Sequence, residues 1–410
     1  MKLKKIQLFA SKRNVVFLLI LSIIAAGGAV YASKLFFSHL QSTPFRSYEP
    51  AEIITVDSDF QGEVLFNNRL GEKPFTDQLV ALIRNAGYSI DVAMYSIDSP
   101  QLRDELYKAA QKNIPVRIAL SSTKSEQHSA LFANPPSGIS FTSLGKEGNN
   151  LMHHKFLIVD AGKPSAAVVF GSFNWTLLQE AYDPSFMIVS FDKKITNAYE
   201  EEFGRLISGK SGPLKFNDPS YRPWASDIHY RNGELELWWS PGIGDNAIKK
   251  RMLDAIAEAR SSIDIMIWQL TDRDIANALI AKARQGLRIR IITDDYNAYK
   301  GASVIGQLVK AAATFPNLTI LDDASRNAEI QARTSTSDLP VQADFNSFFH
   351  HHALIIDRKV LITGTNNWSY QASYKNDESA VVTTVVPLVR SYEEAFVYFY
   401  KEFQAVTGKK

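Results

Sequence analysis

The chain contains two copies of one structural segment, and this repetition restricts its fold more than any other feature. The segment that begins at Ala86 aligns without a gap with the segment that begins at Ala259, at a constant offset of 173 residues. In both copies a short apolar run, a stretch of helical period and a second apolar run follow one another, which is typical of a βαβ unit. The sequence therefore predicts an α/β protein with two pseudo-symmetric lobes, each a mostly parallel or mixed sheet flanked by helices.

The repetition continues along the chain and indicates where the lobes end. Residues 171–175 read GSFNW and residues 364–368 read GTNNW, at an offset of 193. Residues 210–234, between the copies, are rich in Pro, Gly, Ser and Asp, as linkers are. We therefore expect a first lobe at 61–209, an inter-lobe linker at 210–234 and a second lobe at 235–406.

The N-terminal residues differ in character from the rest of the chain. A basic tail at 1–14 precedes the uncharged segment 15–32, and a linker at 33–60 leads to the first lobe. A membrane span needs about 20 apolar residues and a secretory core about 7–15, so the length favours a transmembrane helix over a cleaved signal peptide. Because a basic flank stays in the cytoplasm, we expect the rest of the chain on the extracytoplasmic side, in the periplasm or at the cell surface, or secreted if the segment is cleaved.

The net charge argues against a general affinity for duplex nucleic acid. The chain has a formal charge of +2, and residues 1–40 hold six basic residues and no acidic one. Residues 41–410 therefore carry a net charge of −4, whereas a non-specific nucleic-acid-binding protein is usually basic. The chain has no cysteine, which excludes a thiolate nucleophile and a thiolate metal site.

Five of the 8 histidines lie in two short stretches, HHKFLIVD at 153–160 and HHHALIID at 350–357. Each stretch leads into an apolar run that predicts a buried strand. Side chains alternate along a strand, so His153 and Lys155 share one face while His154 points the opposite way. By the same rule His350 and His352 share a face and His351 opposes them, so we interpret His154 and His351 as structural. Three adjacent histidines on a strand cannot converge on one metal ion.

These stretches resemble the signature of the phospholipase D superfamily, His-x-Lys-x4-Asp followed by Gly-Ser-x-Asn, usually present twice in a chain. The resemblance extends over about residues 61–406. The matching residues of the first copy are His153, Lys155, Asp160, Gly171, Ser172 and Asn174. The matching residues of the second copy are His350, Asp357, Gly364, Thr365 and Asn367.

The resemblance implies a phosphodiester chemistry that needs neither a metal ion nor another cofactor. One imidazole attacks phosphorus to give a phosphohistidine, and the other protonates the leaving oxygen and then activates water or an alcohol. By resemblance we expect His153 to be the nucleophile and His350 the acid/base. Lys155, Asn174 and Asn367 are expected to hold the phosphoryl oxygens.

Two positions depart from the family pattern. His352 replaces the lysine of the second copy, so we expect phosphate binding on that side to weaken above about pH 6.5. The family also has a carboxylate downstream that orients the histidine, and Glu378 supplies it in the second copy. We expect Glu378 to lie behind His350, and this position argues for the reverse assignment, with His350 as the nucleophile and His153 as the acid/base. Ser185 replaces it in the first copy, where we expect Asp183 to substitute.

The remaining candidates have supporting roles. We expect Asp160 and Asp357 to anchor the turns at the strand ends, with Ser172 and Thr365 behind the histidines. Other expectations, from position in the sequence, are packing in the core for Trp175 and Trp368, a pocket wall or membrane-facing lip at 347–349, and a lid at 326–347.

The sequence and the resemblance together predict a phospholipase D-type phosphodiesterase that releases a head group from a phospholipid and leaves phosphatidic acid. Three alternatives remain open. They are an exported, metal-independent nuclease, a phosphatidyl transferase similar to cardiolipin synthases, and a degenerate module that binds phosphate without cleaving it. The expected partners are a phospholipid substrate, with nucleic acid as the alternative, and the membrane through the N-terminal helix. The paired lobes make a homo-oligomer unnecessary.

Overall fold

The computed structural model describes residues 53–68, 73–146, 150–334 and 347–407. They all belong to the second of the two units into which the chain divides, Pro50–Lys410. The predicted span at 15–32 lies outside the described residues. Among the helices that are described, none combines the length and the apolar character that a membrane crossing requires.

The first lobe is built on an eight-stranded sheet. Its elements, with a short strand β1 that joins the other sheet, are β1 (Ile53–Thr55), β2 (Gly62–Phe66), α1 (Pro74–Asn85), β3 (Ile90–Met94), α2 (Pro100–Gln111), β4 (Val116–Ser121), α3 (Ser125–Leu131), β5 (Ile139–Lys146), β6 (Asn150–Leu151), β7 (Lys155–Val159), β8 (Ala167–Gly171), α4 (Leu177–Ala181), β9 (Phe186–Ser190) and α5 (Lys193–Ile207). The strand order is β2-β9-β8-β7-β3-β4-β5-β6. Strands β3, β4 and β5 pair in parallel, and β7 runs antiparallel to β3.

The second lobe repeats this plan on a nine-stranded sheet. Its elements are β10 (Trp224–Tyr230), β11 (Gly233–Ser240), α6 (Ile248–Glu258), β12 (Ser262–Ile267), α7 (Arg273–Arg284), β13 (Arg288–Thr293), α8 (Asp295–Ala298), α9 (Ile305–Ala312), β14 (Leu318–Asp322), α10 (Ala324–Thr334), β15 (His352–Ile356), β16 (Val360–Gly364), α11 (Tyr370–Tyr374), β17 (Glu378–Thr383) and α12 (Val386–Thr407). The strand order is β1-β10-β11-β17-β16-β15-β12-β13-β14. Again β12, β13 and β14 are parallel and β15 is antiparallel to β12.

The two lobes and their βαβ units are confirmed, and both sheets are mixed rather than largely parallel. The turns at 160–166 and 357–359 join β7 to β8 and β15 to β16 as hairpins, and a hairpin reverses the strand direction. The predicted linker at 210–234 is also partly ordered as a strand. Residues 224–230 form β10, in which alternate residues are buried, so this segment extends the second sheet.

The crossover helices α2 and α7 show why the two copies fold alike. Ser99 caps α2 by accepting from the Leu102 N–H at 3.4 Å, and Pro100 follows at the first helical position. At the equivalent place Asp272 caps α7, accepting from the Asp274 N–H at 2.9 Å. Each helix buries an apolar stripe against its sheet.

One hydrophobic core runs through both lobes and holds them in a fixed relation. It includes the Tyr199 ring of α5, whose centroid lies 4.9 Å from that of Trp239 in the second lobe. It also includes Phe186 of β9, 5.3 Å from Tyr392 of α12. Because these large side chains are buried and interdigitated, the side chains that the two lobes present to each other are held in place.

Candidate active site

The paired histidines lie at the same edge of the two sheets, where β7 and β15 begin. His153 precedes β7, whose first residue is Lys155, and His350 precedes β15, whose first residue is His352. Strands β3 and β12, antiparallel to them, end at this edge. Burial of all five residues of β7 and of β15 makes each strand a rigid support for the polar side chains at its start.

His154 and His351 point away from this edge, as alternation predicts. The His154 Nε2 lies 2.9 Å from the Glu202 carboxylate, which also pairs with the buried Lys215. The His351 ring packs against Phe349 and Phe399 at centroid distances of 5.1 and 5.5 Å. Burial lowers the pKa of His351 to about 3, so its imidazole stays neutral. His154 is thus held by an ion pair and His351 by aromatic packing, which agrees with structural roles for both.

Glu378 contacts His153 of the other lobe and not His350, which corrects the expectation from the sequence. The His153 Nδ1 lies 2.7 Å from Glu378 Oε2, and both side chains are buried. Thr365 donates to the same oxygen at 2.6 Å, and Asn376 donates to Oε1 at 3.0 Å. This removes the argument for His350 as the nucleophile, because the carboxylate orients His153.

A backbone connection between the lobes explains why Glu378 contacts the histidine of the other lobe. The His153 N–H donates to the Asp377 carbonyl at 3.0 Å, and Met152 and Asp377 form an isolated parallel bridge. The Leu151 N–H donates to the Asn376 side chain at 3.0 Å. The strand that carries His153 is thus paired with the segment that ends in Glu378.

The electrostatics of the pair favour an ionised glutamate beside a neutral imidazole. Burial opposes ionisation of Glu378, but its contact with the His153 ring, the charge of Lys155 and the hydrogen bond from Thr365 together outweigh burial and lower the pKa of Glu378. Burial, only partly offset by Glu378, lowers the pKa of His153. A neutral imidazole that donates Nδ1–H to a carboxylate keeps a lone pair on Nε2, which is the form that can attack phosphorus.

His350 has a different environment. Burial, followed by the charge of Lys155, lowers the pKa of His350 well below its usual value. Its Nδ1 has no hydrogen-bond partner among the described residues. The Ser185 hydroxyl, at the position equivalent to Glu378, instead donates to the Asp183 carbonyl at 3.0 Å.

Asp183 does not replace the missing carboxylate by direct contact. Its Oδ1 accepts from the Phe348 N–H at 2.9 Å, and the neighbouring Phe349 N–H donates to Asp294 at 3.0 Å. Burial raises the pKa of Asp183 to about 8. These carboxylates hold the segment Ser347–Phe349, which leads directly to His350, so their effect on His350 is one of position.

Lys155, Asn174 and Asn367 provide the groups that suit a phosphoryl ligand. Lys155 donates to the His153 carbonyl at 2.8 Å, and burial lowers its pKa to about 7. Asn174 and Asn367 are both nearly buried; their amide nitrogens can donate to a phosphoryl oxygen, and their side-chain oxygens, which can only accept, have no partner among the described residues. Such polar groups, desolvated and without partners, are costly unless a ligand satisfies them.

His352 lies beside His350, with ring centroids 5.2 Å apart. Burial, and then the charges of His350 and His153, lower its pKa well below the usual value. The expected loss of phosphate binding near pH 6.5 is therefore wrong for this residue, because it is already neutral there. Its ring nitrogens have no partner among the described residues and are available as donor or acceptor.

The motif aspartates lie at the far ends of their strands. The Asp160 carboxylate accepts from the N–H groups of Gly87, Tyr88 and Ser89 at 2.7–3.2 Å. Asp357 makes the equivalent bonds with the 260–262 backbone. Both residues have a positive φ, 54° and 52°. They anchor turns and do not reach the site.

The other supporting residues are close to their predicted positions. The Ser172 hydroxyl accepts from the Phe186 N–H at 3.1 Å, while its counterpart Thr365 binds Glu378. Trp175 and Trp368 are buried in the core. Of the predicted lid at 326–347, residues 326–334 belong to helix α10, residues 335–346 lie outside the described residues, and Ser347 begins the segment that leads to His350.

Sequence reasoning missed two groups near the histidines. Tyr95 and Trp268 pack against His153 and His350 at ring distances of 4.8 and 5.1 Å. Their alignment at offset 173 was a signal that could have identified them.

The second group is a cluster of carboxylates: Asp294, Asp295 and Asp323 place carboxylate oxygens within 4.8 Å of one another. Carboxylates can bind a cation, but Asp294 here accepts from the Phe349 N–H and so supports the backbone before His350.

The chain matches the family described as "Cardiolipin synthase, PLD-like domain" twice, over residues 79–207 and 252–399. The two matches correspond to the two lobes and together cover well over half of the chain.

Curated relatives match one lobe-sized stretch. Mitochondrial cardiolipin hydrolase from Mus musculus is 33% identical over 154 residues, which are 37% of this chain and 58% of the relative. The protein of the same name from Homo sapiens is 30% identical over 161 residues, 39% of this chain and 53% of the relative. The chain thus spans little more than half the length of the curated relatives it matches.

The fold is similar to that of a solved structure along nearly the whole described part. Phosphatidylserine synthase from Haemophilus influenzae Rd KW20 superposes with a TM-score of 0.61, covering 82% of this chain and 85% of that chain. The sequence identity is 13%, so the similarity establishes the two-lobed fold alone.

Proposed function

The chain belongs to the phospholipase D superfamily, and from this premise we propose that it hydrolyses a phospholipid to phosphatidic acid and a free head group through a phosphohistidine intermediate. The observation that carries the proposal is the buried His153–Glu378 pair, formed across the lobes at 2.7 Å, with His350 at the start of the equivalent strand of the other lobe. Two imidazoles with different partners suit two different tasks.

In the first step of the proposed reaction, His153 Nε2 attacks phosphorus. The N–P bond forms, the bond from phosphorus to the head-group oxygen breaks, and that oxygen takes a proton from His350. Glu378 stabilises the positive charge that develops on the His153 ring. Lys155, Asn174 and Asn367 hold the phosphoryl oxygens, since a phosphodiester needs fixed positive or donor groups around it.

In the second step, water attacks the phosphohistidine. Water loses a proton to His350, its oxygen bonds to phosphorus, and the P–N bond breaks, which restores both histidines. The negative phosphate opposes the effects that lower the pKa of His350 in the empty site, so substrate binding favours the protonated acid needed in the first step.

A lipid substrate is supported by the names of the curated relatives and by the charge of −4 on residues 41–410. The uncharged segment at 15–32 extends the proposal to a protein anchored in a membrane with its lobes on the extracytoplasmic side.

The test is to incubate the full-length chain, purified in detergent, with labelled phosphatidylcholine, phosphatidylglycerol and single-stranded DNA. We expect phosphatidic acid and a free head group. Cleavage of DNA alone would reject the lipid substrate, and no turnover of any of the three would favour a phosphate-binding module.

The intermediate is tested with bis(4-nitrophenyl) phosphate, whose leaving group needs little protonation. The variant His350→Asn should accumulate an acid-labile phosphohistidine on His153, because the second step lacks its base. His153→Asn should show none. An adduct that persists in His153→Asn would overturn the assignment of the nucleophile.

A further inference from the structure

The two walls of the site differ although they come from equivalent positions of the repeat. Tyr95 follows β3 and packs on His153, and Trp268 follows β12 and packs on His350. On the first-lobe side, the ammonium groups of Lys124 and Lys155 lie 5.6 and 5.2 Å from the Tyr95 ring centroid. That wall is cationic and polar, which suits the charged part of a phosphodiester.

The second-lobe side is aromatic from His350 outward. The Trp268 ring lies 5.9 Å from the Phe348 ring, and Phe348 lies 5.9 Å from Tyr296. Exposure increases along this series, from 5% for His350, through the half-buried Trp268 and Phe348, to 43% for Tyr296. The three side chains, here called the aromatic wall, form a continuous aromatic series from the acid/base histidine to solvent, with the Lys300 ammonium over the Tyr296 ring at its outer end.

The aromatic wall is held by the backbone contacts of its members. Asp183 fixes Phe348 through its N–H at 2.9 Å. Tyr296 follows Asp295, whose N–H donates to the buried Asp323 at 2.8 Å. The Trp268 Nε1 is buried and has no partner among the described residues, so the wall offers a hydrogen-bond donor for an oxygen of the ligand.

We propose that the aromatic wall is a binding subsite for the hydrocarbon part of the alcohol that leaves, or enters, past His350. This rests on the proposed function, in which His350 protonates the leaving oxygen and deprotonates the attacking one. The carbon atoms of that alcohol then lie on the His350 side of phosphorus, against Trp268 and Phe348. The ligand class is an alcohol that carries an acyl or alkyl chain, such as an acylglycerol, which the aromatic wall favours over a small charged head group.

The second displacement gives a direct measure of this subsite. When an alcohol replaces water, it loses its proton to His350, its oxygen bonds to phosphorus, and the P–N bond of phosphohistidine breaks. Each buried methylene favours binding by about fourfold. Butan-1-ol has two methylenes more than ethanol, so a wall that shields about half of the chain should favour the butyl ester by about fourfold.

The experiment uses the full-length chain with bis(4-nitrophenyl) phosphate and an equimolar mixture of ethanol and butan-1-ol. The ratio of butyl to ethyl 4-nitrophenyl phosphate is read by mass spectrometry, and it is independent of the rate of the first step. We expect a ratio of at least fourfold in the wild type and below twofold in Tyr296→Ser and in the double variant with Phe348→Ala. A wild-type ratio near one, or an unchanged ratio in both variants, would overturn the subsite.

Tyr88→Ser is the matched control. Tyr88 is also exposed and also has a lysine ammonium over its ring, that of Lys163 at 4.9 Å, but it lies at the opposite end of the first sheet beside Asp160. We expect its butyl-to-ethyl ratio to equal that of the wild type. A fall as large as that of Tyr296→Ser would show a general surface effect and overturn the assignment.

A binding measurement separates failure of the subsite from failure of the proposed function. Calorimetry compares butyl phosphate with methyl phosphate, which needs no turnover. An affinity ratio of at least fourfold that falls in Tyr296→Ser supports the aromatic wall even in a chain that cleaves nothing. Equal affinities overturn it even if the chain proves to be a phosphodiesterase.

Discussion

The substitution Glu378→Gln tests the central pair of the proposed site. Glutamine keeps the shape of the side chain but has one acceptor oxygen in place of two, so it can accept from Thr365 or from Asn376 and not from both, and it removes the negative charge 2.7 Å from His153 Nδ1. The pair is buried, so water does not replace that charge. Its function in the proposed reaction is to stabilise the imidazolium that forms as the N–P bond develops.

The magnitude follows from the contact. A hydrogen bond to a charged group contributes about 1.5–3 kcal/mol, and this contact strengthens as His153 becomes positive. A loss of about 3 kcal/mol of transition-state stabilisation lowers the rate by about 100-fold. We therefore expect Glu378→Gln to slow phosphohistidine formation about 100-fold, measured by rapid quench with bis(4-nitrophenyl) phosphate.

Glu202→Gln is the control for this prediction. Glu202 is also a buried glutamate that pairs with a histidine, His154, at 2.9 Å, and it lies outside the site. Its substitution should lower the melting temperature while the folded fraction keeps its rate of phosphohistidine formation. A Glu378→Gln rate within threefold of the wild type, or an equal rate loss in both variants, would refute the function assigned to the carboxylate.

Three further predictions follow from single residues. Burial lowers the pKa of Lys155 to about 7, so its ammonium is charged below that pH and the affinity for inorganic phosphate should fall as pH rises through about 7 to 8. In a calorimetric titration Lys155→Arg should remove this fall. A pH profile that is unchanged in the variant contradicts the prediction. Asp183 has its pKa raised from 3.8 to about 8, so it favours the folded state at low pH and this contribution is lost as pH rises through that window. Asp183→Asn should therefore gain melting temperature relative to wild type between pH 4.5 and 8.5, and a constant difference would refute the burial argument. Asp160→Ala leaves three backbone N–H groups without their acceptor and should lower the free energy of unfolding in urea by about 2–3 kcal/mol. The folded fraction should keep its activity, because the carboxylate lies about 16 Å along the strand from Lys155. A fully folded variant that has lost activity contradicts this prediction.

Most of the architecture could be predicted because it depends on local pattern and on repetition. Apolar runs of strand length identified β7 and β15, and alternation along them correctly separated His153 from His154. The anchoring of the turn by Asp160 was also accessible, since the same residue recurs as Asp357 at the strand end. The direction of the later strands was not, because hairpins and crossovers leave similar apolar runs in the sequence.

The partner of Glu378 could not be predicted from the sequence. Glu378 is separated from His153 by 225 residues and from Thr365 by 13, so sequence proximity placed it with the histidine of its own lobe. What decides the contact is the backbone bridge between Met152 and Asp377, which depends on how the two lobes pack. Asp183 and Asp294 were obscured in the same way, because they act on the backbone of Phe348 and Phe349 and not on an imidazole.

The two departures from the family pattern have a common explanation once the contact of Glu378 with His153 of the other lobe is known. His153 has the complete set of partners, with Lys155 from its own lobe and the carboxylate from the other. His350 has neither a lysine two residues later nor a carboxylate on its ring. A nucleophile benefits from a fixed tautomer and a permanent counter-charge, whereas an acid/base must gain and lose a proton in each cycle. A carboxylate on His350 would hold the imidazolium and slow its deprotonation. The losses at Ser185 and His352 therefore fall on the half of the site where the proposed reaction tolerates them, and this distribution is the physical reason for assigning attack to His153 and proton transfer to His350.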